Sequence, residues 1–270
     1  MPSSVFNSCT ALSKATLGDS ITSIGGFCFE YCSALQSVSL PAELLSIGTS
    51  CFERCSALAS IIFPAKLTSI GSRAFAYCSL LAVADLPASL TTLGSDGFLE
   101  CKALKKVVIP SGVTKIPSDC FSTCVSLSEV TIGSGVTSIE MNAFNYNSSL
   151  KTLTFLGSSL YSIGQYAFSN CSLLEKVILP ESVASIASYA FSNDEGLQIV
   201  YIPSSVTSMG SFVFSSNYAC KIYCKLAAIP TYGWYSEWDS NCDNAYFYSG
   251  SQPIATGKYW HYVNNEMTAW

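Results

Sequence analysis

Ser-Ile-Gly-Ser-Arg-Ala-Phe-Ala-Tyr-Cys-Ser-Leu-Leu, residues 69–81, decides the fold, because its landmarks return at a fixed distance along the chain. Phe75 stands 23 residues after Phe52 and 23 before Phe98. The series extends outward through Phe6, Phe29, Phe121, Phe144, Phe168, Phe191 and Phe214, every interval being 23 except the 24 between Phe144 and Phe168. A constant period between about 20 and 29 residues marks a solenoid of stacked coils.

The rest of the period is equally regular. Leu81, six residues after its Phe, has counterparts at Leu12, Leu35, Leu58, Leu104, Leu127, Leu150, Leu174 and Leu197. Apolar residues recur nine and eleven after each Phe, as Val107 and Ile109 or Val177 and Leu179, and Pro often follows, as Pro87 and Pro110. Such a stretch reads as a short strand closed by Pro. Next comes a second apolar pair, Val113 with Ile116 or Leu67 with Ile70, commonly followed by Gly. The Gly is expected to form a corner at positive φ. Thr49 and Ser72 stand where an N-cap would open one helical turn carrying the Phe. The expected class is therefore α/β, with about nine coils of strand, extended segment and helical or 3₁₀ turn. The extra residue before Phe168 is expected in the turn at Leu156–Ser159, since apolar slots resume at Leu160 and Ile163.

These landmarks closely resemble the BspA-like, treponemal-type leucine-rich repeat, from about Phe6 to Tyr223. The resemblance implies a curved right-handed solenoid with a parallel sheet on its concave side. It also implies a cell-surface or secreted protein of host-associated bacteria or parasitic protozoa, with adhesion as the role proposed for such proteins.

Composition narrows the function. Charged residues make up 11% and the net charge is −5, so there is no basic face to neutralise phosphates, and nucleic acid is not an expected partner. No run approaches the roughly 18 apolar residues of a membrane span. The opening Met1-Pro2-Ser3-Ser4-Val5 lacks a signal pattern and enters in mid-repeat, as a trimmed fragment would.

The 13 cysteines mostly follow the period. Cys9, Cys32, Cys55, Cys78, Cys101, Cys124 and Cys171 fall three after a Phe, and Cys28, Cys51 and Cys120 just before one. They read as an inward ladder of small apolar thiols. Stacked pairs such as Cys28/Cys32 and Cys51/Cys55 could gather four sulfurs, but the tighter knuckle spacing usual for zinc is missing, so no metal is expected. Outside the ladder, Cys224 with Cys242 is the best candidate disulfide.

Little in the chain resembles catalysis. His261 is the only histidine and sits among Tyr259, Trp260 and Tyr262, which reads as packing or surface. Glu30, Glu53, Asp96 and Glu100 are scattered over turn positions expected to face solvent. The sequon residue Asn147 occupies a Cys slot and is expected to be buried rather than glycosylated. No enzyme activity and no cofactor are expected.

After Phe214 the code decays: Cys220 takes the Leu slot and Lys225 an inward one. Regular stacking is therefore expected to stop near residue 225, dividing the chain into a solenoid (1–225) and an aromatic C-terminal segment (226–270). Tyr259–Val263, Asn264-Asn265 and Glu266–Trp270 read as a β-hairpin. The segment is expected to cap the last coil, with a platform for sugars or peptides as the alternative.

The expected function is non-enzymatic protein binding by an adhesin-type module. A passive spacer or surface-layer element, or carbohydrate binding through the aromatic segment, are the rivals. Residues eight and ten after each Phe should face the concave side. The small, polar pairs of the N-terminal coils, such as Ser37 and Ser39, give way to Lys176, Ile178, Ile199 and Tyr201, which form the candidate site. The aromatic segment folding over them is the competing reading.

Overall fold

The computed structural model of the chain describes residues 1–240, 245–249, 258–263 and 266–269. Two rows of short parallel strands wind through a β-solenoid of about ten turns. The longer strands include Lys14–Thr16, Ser37–Ser39, Lys106–Val108, Glu129–Ile132, Thr152–Phe155, Lys176–Ile178, Ile199–Ile202 and Lys221–Cys224. The second row, two residues per strand, runs from Ser23–Ile24 to Ser208–Met209. Paired residues stand mostly one period apart, Lys14 opposite Ser37 and Val130 opposite Leu153, so like side chains stack on like.

That stacking builds the core. Leu35, Leu58, Leu81, Leu104, Leu127, Leu150, Leu174 and Leu197 are fully buried, as are the phenylalanines from Phe29 to Phe214. The Phe rings form one column from Phe6 to Phe214 with centroids 5.1–5.6 Å apart. Each buried Phe or Leu contributes roughly 1.5–3 kcal/mol of transfer free energy. A single coil could not enclose them.

The α/β expectation is corrected at the Phe corner: no described residue is helical. A helix needs consecutive right-handed residues, yet the residues two before and two after every Phe are left-handed, twenty non-glycines with φ between 51° and 64°. Their N–H groups turn out of the coil. Around Phe29, the N–H groups of Phe27, Phe29 and Tyr31 donate to the carbonyls of Thr49, Cys51 and Glu53 on the next coil, at 2.8, 2.8 and 2.9 Å. Local bonds come from other residues, as the intervening Glu30 donates to the Phe27 carbonyl at 3.4 Å and Cys32, just beyond, to the Phe29 carbonyl at 3.1 Å. A left-handed L-residue costs on the order of 1 kcal/mol, and the inter-coil bonds and buried rings offset it. Thr49 and Ser72 have no helix to cap.

Glycine at the other corner also differs from expectation. Among the described glycines only Gly233 has positive φ. A Cβ on Gly71 would lie 2.6 Å from the Thr49 nitrogen, and one on Gly94 2.1 Å from the Ser72 nitrogen, so here Gly serves the close approach of adjacent coils.

The extra residue falls where expected. Ile132 pairs with Phe155, a separation of 23, whereas Ser138 pairs with Ser162, a separation of 24, so the added residue lies in the turn between them. Leu160 beyond it is buried again.

Parallel stacking runs on past residue 225. Ala245–Tyr248 pairs parallel with Lys221–Cys224, Tyr259–Val263 pairs parallel with it in turn, and Glu266–Ala269 closes the sheet antiparallel. Asn264 and Asn265 lie outside the described residues. Lys225 does not end the stack because its ammonium reaches the Glu181 carboxylate at 2.9 Å rather than the apolar interior.

Leu104→Ala is expected to destabilise the protein by about 2–5 kcal/mol, because the side chain is fully enclosed between coils. Lys105→Ala, on the exposed neighbour, is expected to change stability by less than about 0.5 kcal/mol. Chemical denaturation of both variants checks the register.

Candidate functional site

The longer strands alternate as the period demands. In Lys106–Val108 the middle side chain is buried and the outer two are exposed, and Lys176–Ile178 repeats this. Register then brings the four candidate residues together: Lys176 lies opposite Ile199 and Ile178 opposite Tyr201. Lys176 and Ile178 remain exposed and Ile199 is half-buried. Tyr201 is only 5% exposed.

The aromatic segment removes Tyr201 from solvent. Trp260, fully buried, meets the rings of Tyr201, Tyr223 and Tyr248 edge-on at 6.0, 5.7 and 5.2 Å. Its indole N–H donates to the Cys224 carbonyl at 2.8 Å, satisfying the one polar atom such a ring must bury. The Tyr201 hydroxyl donates to Glu181 Oε1 at 2.7 Å, on the carboxylate that also holds Lys225. Burial pushes the Glu181 carboxyl up, but the hydrogen bonds from Lys225 and Tyr201 and the Lys225 charge outweigh it and hold the group below its ordinary range.

A second contact closes the end of the Phe column. Trp238, 1% exposed, meets Phe214 edge-on at 6.2 Å and Trp234 at 5.1 Å. The N–H groups of Phe212 and Phe214, which in inner coils find the next coil, here donate to the carbonyls of Glu237 and Trp238 at 2.9 and 3.2 Å. Sequence alone counts Trp238 among the aromatics of the capping segment without identifying Phe214 as the ring it covers. Its spacing of 24 from Phe214 equals the one irregular interval earlier, but the change of residue type hid it.

Apolar side chains stand out to solvent farther along the same strand face. Ile62 is 86% exposed, Val83 50%, Val108 44% and Ile178 42%. Polar residues surround them: Asp85 is exposed, and Lys106 pairs with Glu129 at 2.9 Å.

The thiols lie inward as a ladder, with one exception and one added detail. Cys9 is exposed. The sulfurs of Cys32, Cys55, Cys78, Cys101 and Cys124 each donate to the Phe carbonyl of the preceding coil, at 3.0–3.2 Å. Burial pushes these thiols up, Cys124 to about 12. Asn147 fills the same slot, fully buried, its amide donating to the Phe121 carbonyl at 3.1 Å, which leaves no room for a glycan. Among the described residues no group of three or more His, Cys, Asp or Glu side chains gathers to hold a metal. Cys242 lies outside the described residues, so the Cys224–Cys242 pairing does too; His261 is described as part of a strand, without its side chain. Glu53 departs from expectation: it is buried, with Arg73 bonding both carboxylate oxygens at 2.6 and 3.0 Å. Arg54 lies outside it, 4.4 Å from the Tyr77 ring centroid and 5.5 Å from that of Tyr31.

Residues 1–127 and 91–222 match the family model described as the BspA type leucine rich repeat region, in six copies. The crystal structure of a leucine-rich repeat protein of T. pallidum is similar at 30% identity and a TM-score of 0.57, covering 60% of this chain and 78% of that one. The pneumococcal vaccine antigen PcpA shares the fold at 21% identity and a TM-score of 0.54, covering 87% of this chain and 73% of that one. A leucine rich cell surface protein from Faecalibacterium prausnitzii A2-165 aligns at 22% identity over 86% of this chain and 83% of that one, with a TM-score of 0.45. No curated protein matches the sequence. Among the described residues no helix is long and apolar enough to cross a membrane.

Two outcomes test the packing. Trp260→Ala is expected to destabilise the C-terminal coils by about 3–5 kcal/mol, read as a lower melting temperature with increased exposure of Tyr201 and Tyr223. At pH 8 a thiol reagent is expected to modify Cys9 rapidly. Cys55, Cys78, Cys101 and Cys124 should react only after denaturant, because burial disfavours their thiolates; mass spectrometry of labelled peptides reads the difference.

Proposed function

The chain belongs to the BspA-type leucine-rich repeat family, and from that premise we propose a non-enzymatic, protein-binding module of adhesin type, carried by a cell-surface or secreted protein. Leucine-rich repeats commonly mediate protein–protein interaction, and the matched family is a repeat scaffold rather than a catalytic one. The observation that carries the reading is the row of exposed apolar side chains on the longer-strand face, Ile62, Val83, Val108 and Ile178. A passive spacer needs only interchangeable polar residues there, since exposed apolar area gains nothing until a partner covers it. Parallel strands of three sheets in the stacked coils hold the row in place, so binding costs little ordering of the backbone.

Within this reading the C-terminal part of the site is Lys176 with Ile178. Tyr201 and part of Ile199 serve the packing of the aromatic segment. Residues 1–225 act as the recognition scaffold and residues 226–270 as the segment that closes its end, covering Phe214 with Trp238 and Tyr201 with Trp260. A carbohydrate-binding reading draws on Tyr218, Tyr232 and Tyr235, whose side chains remain 71%, 88% and 64% exposed and present ring area for a sugar.

The test is binding of the purified chain to immobilised secreted and cell-surface proteins, with polysaccharides in parallel. Lys176→Ala combined with Ile178→Ser is expected to weaken protein capture at least about tenfold without moving the melting temperature. Ile199→Ser combined with Tyr201→Ser is expected to lower the melting temperature. Capture of polysaccharides alone, abolished by Tyr232→Ala, would overturn the protein-binding reading.

A further inference from the structure

The position three residues after each Phe has a constant duty, which is to donate a hydrogen bond to the Phe carbonyl of the preceding coil. Cysteine does it with S–H, as Cys124 to Phe98 at 3.2 Å. Asparagine does it with its amide, Asn147 to Phe121 at 3.1 Å and Asn217 to Phe191 at 2.7 Å. Asp194 fills the same slot between Cys171 and Asn217 and is fully buried. As a carboxylate it has nothing to donate.

Its surroundings show what is missing. Oδ1 accepts the backbone N–H of Cys171 at 2.7 Å, as the Asn217 side-chain oxygen accepts that of Asp194 at 2.8 Å one coil on. With its N–H drawn to Asp194, Cys171 no longer serves the Phe168 carbonyl, in contrast to Cys101, which bonds the Phe98 carbonyl at 3.2 Å. Among the described residues no donor reaches the Phe168 carbonyl, and Oδ2 of Asp194 is buried with no partner. In the neighbouring coil the Asn217 amide nitrogen bridges the equivalent gap. One proton on Asp194 Oδ2 would satisfy both groups and remove the buried charge.

We infer that Asp194 is a built-in proton site: in the folded protein it is protonated and donates to the Phe168 carbonyl, so that mild acid tightens this end of the solenoid. The groups facing it are uncharged, the Cys171 thiol and Phe168 carbonyl on the preceding coil and the Asn217 amide on the following one. On its own coil Asn193 and Glu195 flank it, and both point to solvent. Among the described residues no Lys, Arg or His pairs with it. Burial pushes its carboxyl well above the ordinary range, and the Cys171 N–H draws it back only in part.

A carboxyl raised on folding contributes stability fully below the unfolded value, about 4, and loses it as pH rises toward the folded value. The melting temperature of the native chain is therefore expected to fall, relative to Asp194→Asn, as pH rises from 4 to 8. The variant keeps both hydrogen bonds without a charge, as Asn217 does naturally. The two midpoints should nearly coincide at pH 4, and the variant should melt at least about 2 °C higher at pH 8. Infrared spectroscopy of the folded wild-type protein at pH 7 should show a protonated-carboxyl stretch that Asp194→Asn lacks. A melting difference independent of pH, or no such band at pH 7, overturns the assignment.

Discussion

The structure depends on one repeated hydrogen bond, from the N–H of each Phe to a carbonyl of the coil that follows. Nine of the ten are 2.7–2.9 Å long. Because that N–H leaves its own coil, the chain around it cannot be a helix. Because it reaches a neighbour one period on, the coils must keep register, and the Phe rings stack at nearly constant separation. The left-handed residues on either side are what turn the alternate N–H groups toward the neighbour. A ladder of this kind is one-dimensional: each coil is stabilised by the two it touches, and its last member leaves donors over. Glu237 and Trp238 accept them here.

The same bond explains the cysteines. It fixes the Phe carbonyl in the interior, where an acceptor needs a donor small enough to share the space between two rings. S–H is such a donor, and its high pKa in apolar surroundings keeps it one. The thiol ladder thus does more than fill volume. Asn147 and Asn217 show that the requirement is a donor rather than sulfur, and Asp194 meets it only by holding a proton. Asn147, Asp194 and Asn217 thus share one line governed by one acceptor, while a second buried polar line one residue after the Phe holds Glu53, Ser122, Ser169 and Ser192.

The outward surfaces carry what is individual to the chain. Along the longer strands, alternation delivers every second side chain to solvent, so residue choice there is free of the core. Ile62 and Ile178 are exposed for that reason and not because packing failed. At the C-terminal end that freedom is withdrawn, since Trp260 turns part of the open face into a second small core with Tyr201 and Tyr223.

The sequence by itself determined the period, the inward Leu and Phe, the strand positions, the place of the extra residue and the neighbourhood of Lys176, Ile178, Ile199 and Tyr201. Each of these follows from spacing, and spacing survives in one dimension. Only the tertiary structure decided the rest. A Phe-bearing turn rich in Ser, Ala and Tyr reads as helical until its N–H groups are seen to bond another coil. The glycines after Ile read as positive-φ corners until the adjacent backbone is seen pressing on them. Glu53 reads as a solvated turn residue until Arg73, 20 positions away, closes on it. Trp238 keeps a repeat interval but not the repeat's residue type, and Trp260 keeps neither, so their covering of Phe214 and Tyr201 is seen only in the fold. Asp194 is one acid among 18 in the sequence; its burial beside a carbonyl that lacks a donor is a relation between three coils, and such a relation exists only once they are stacked.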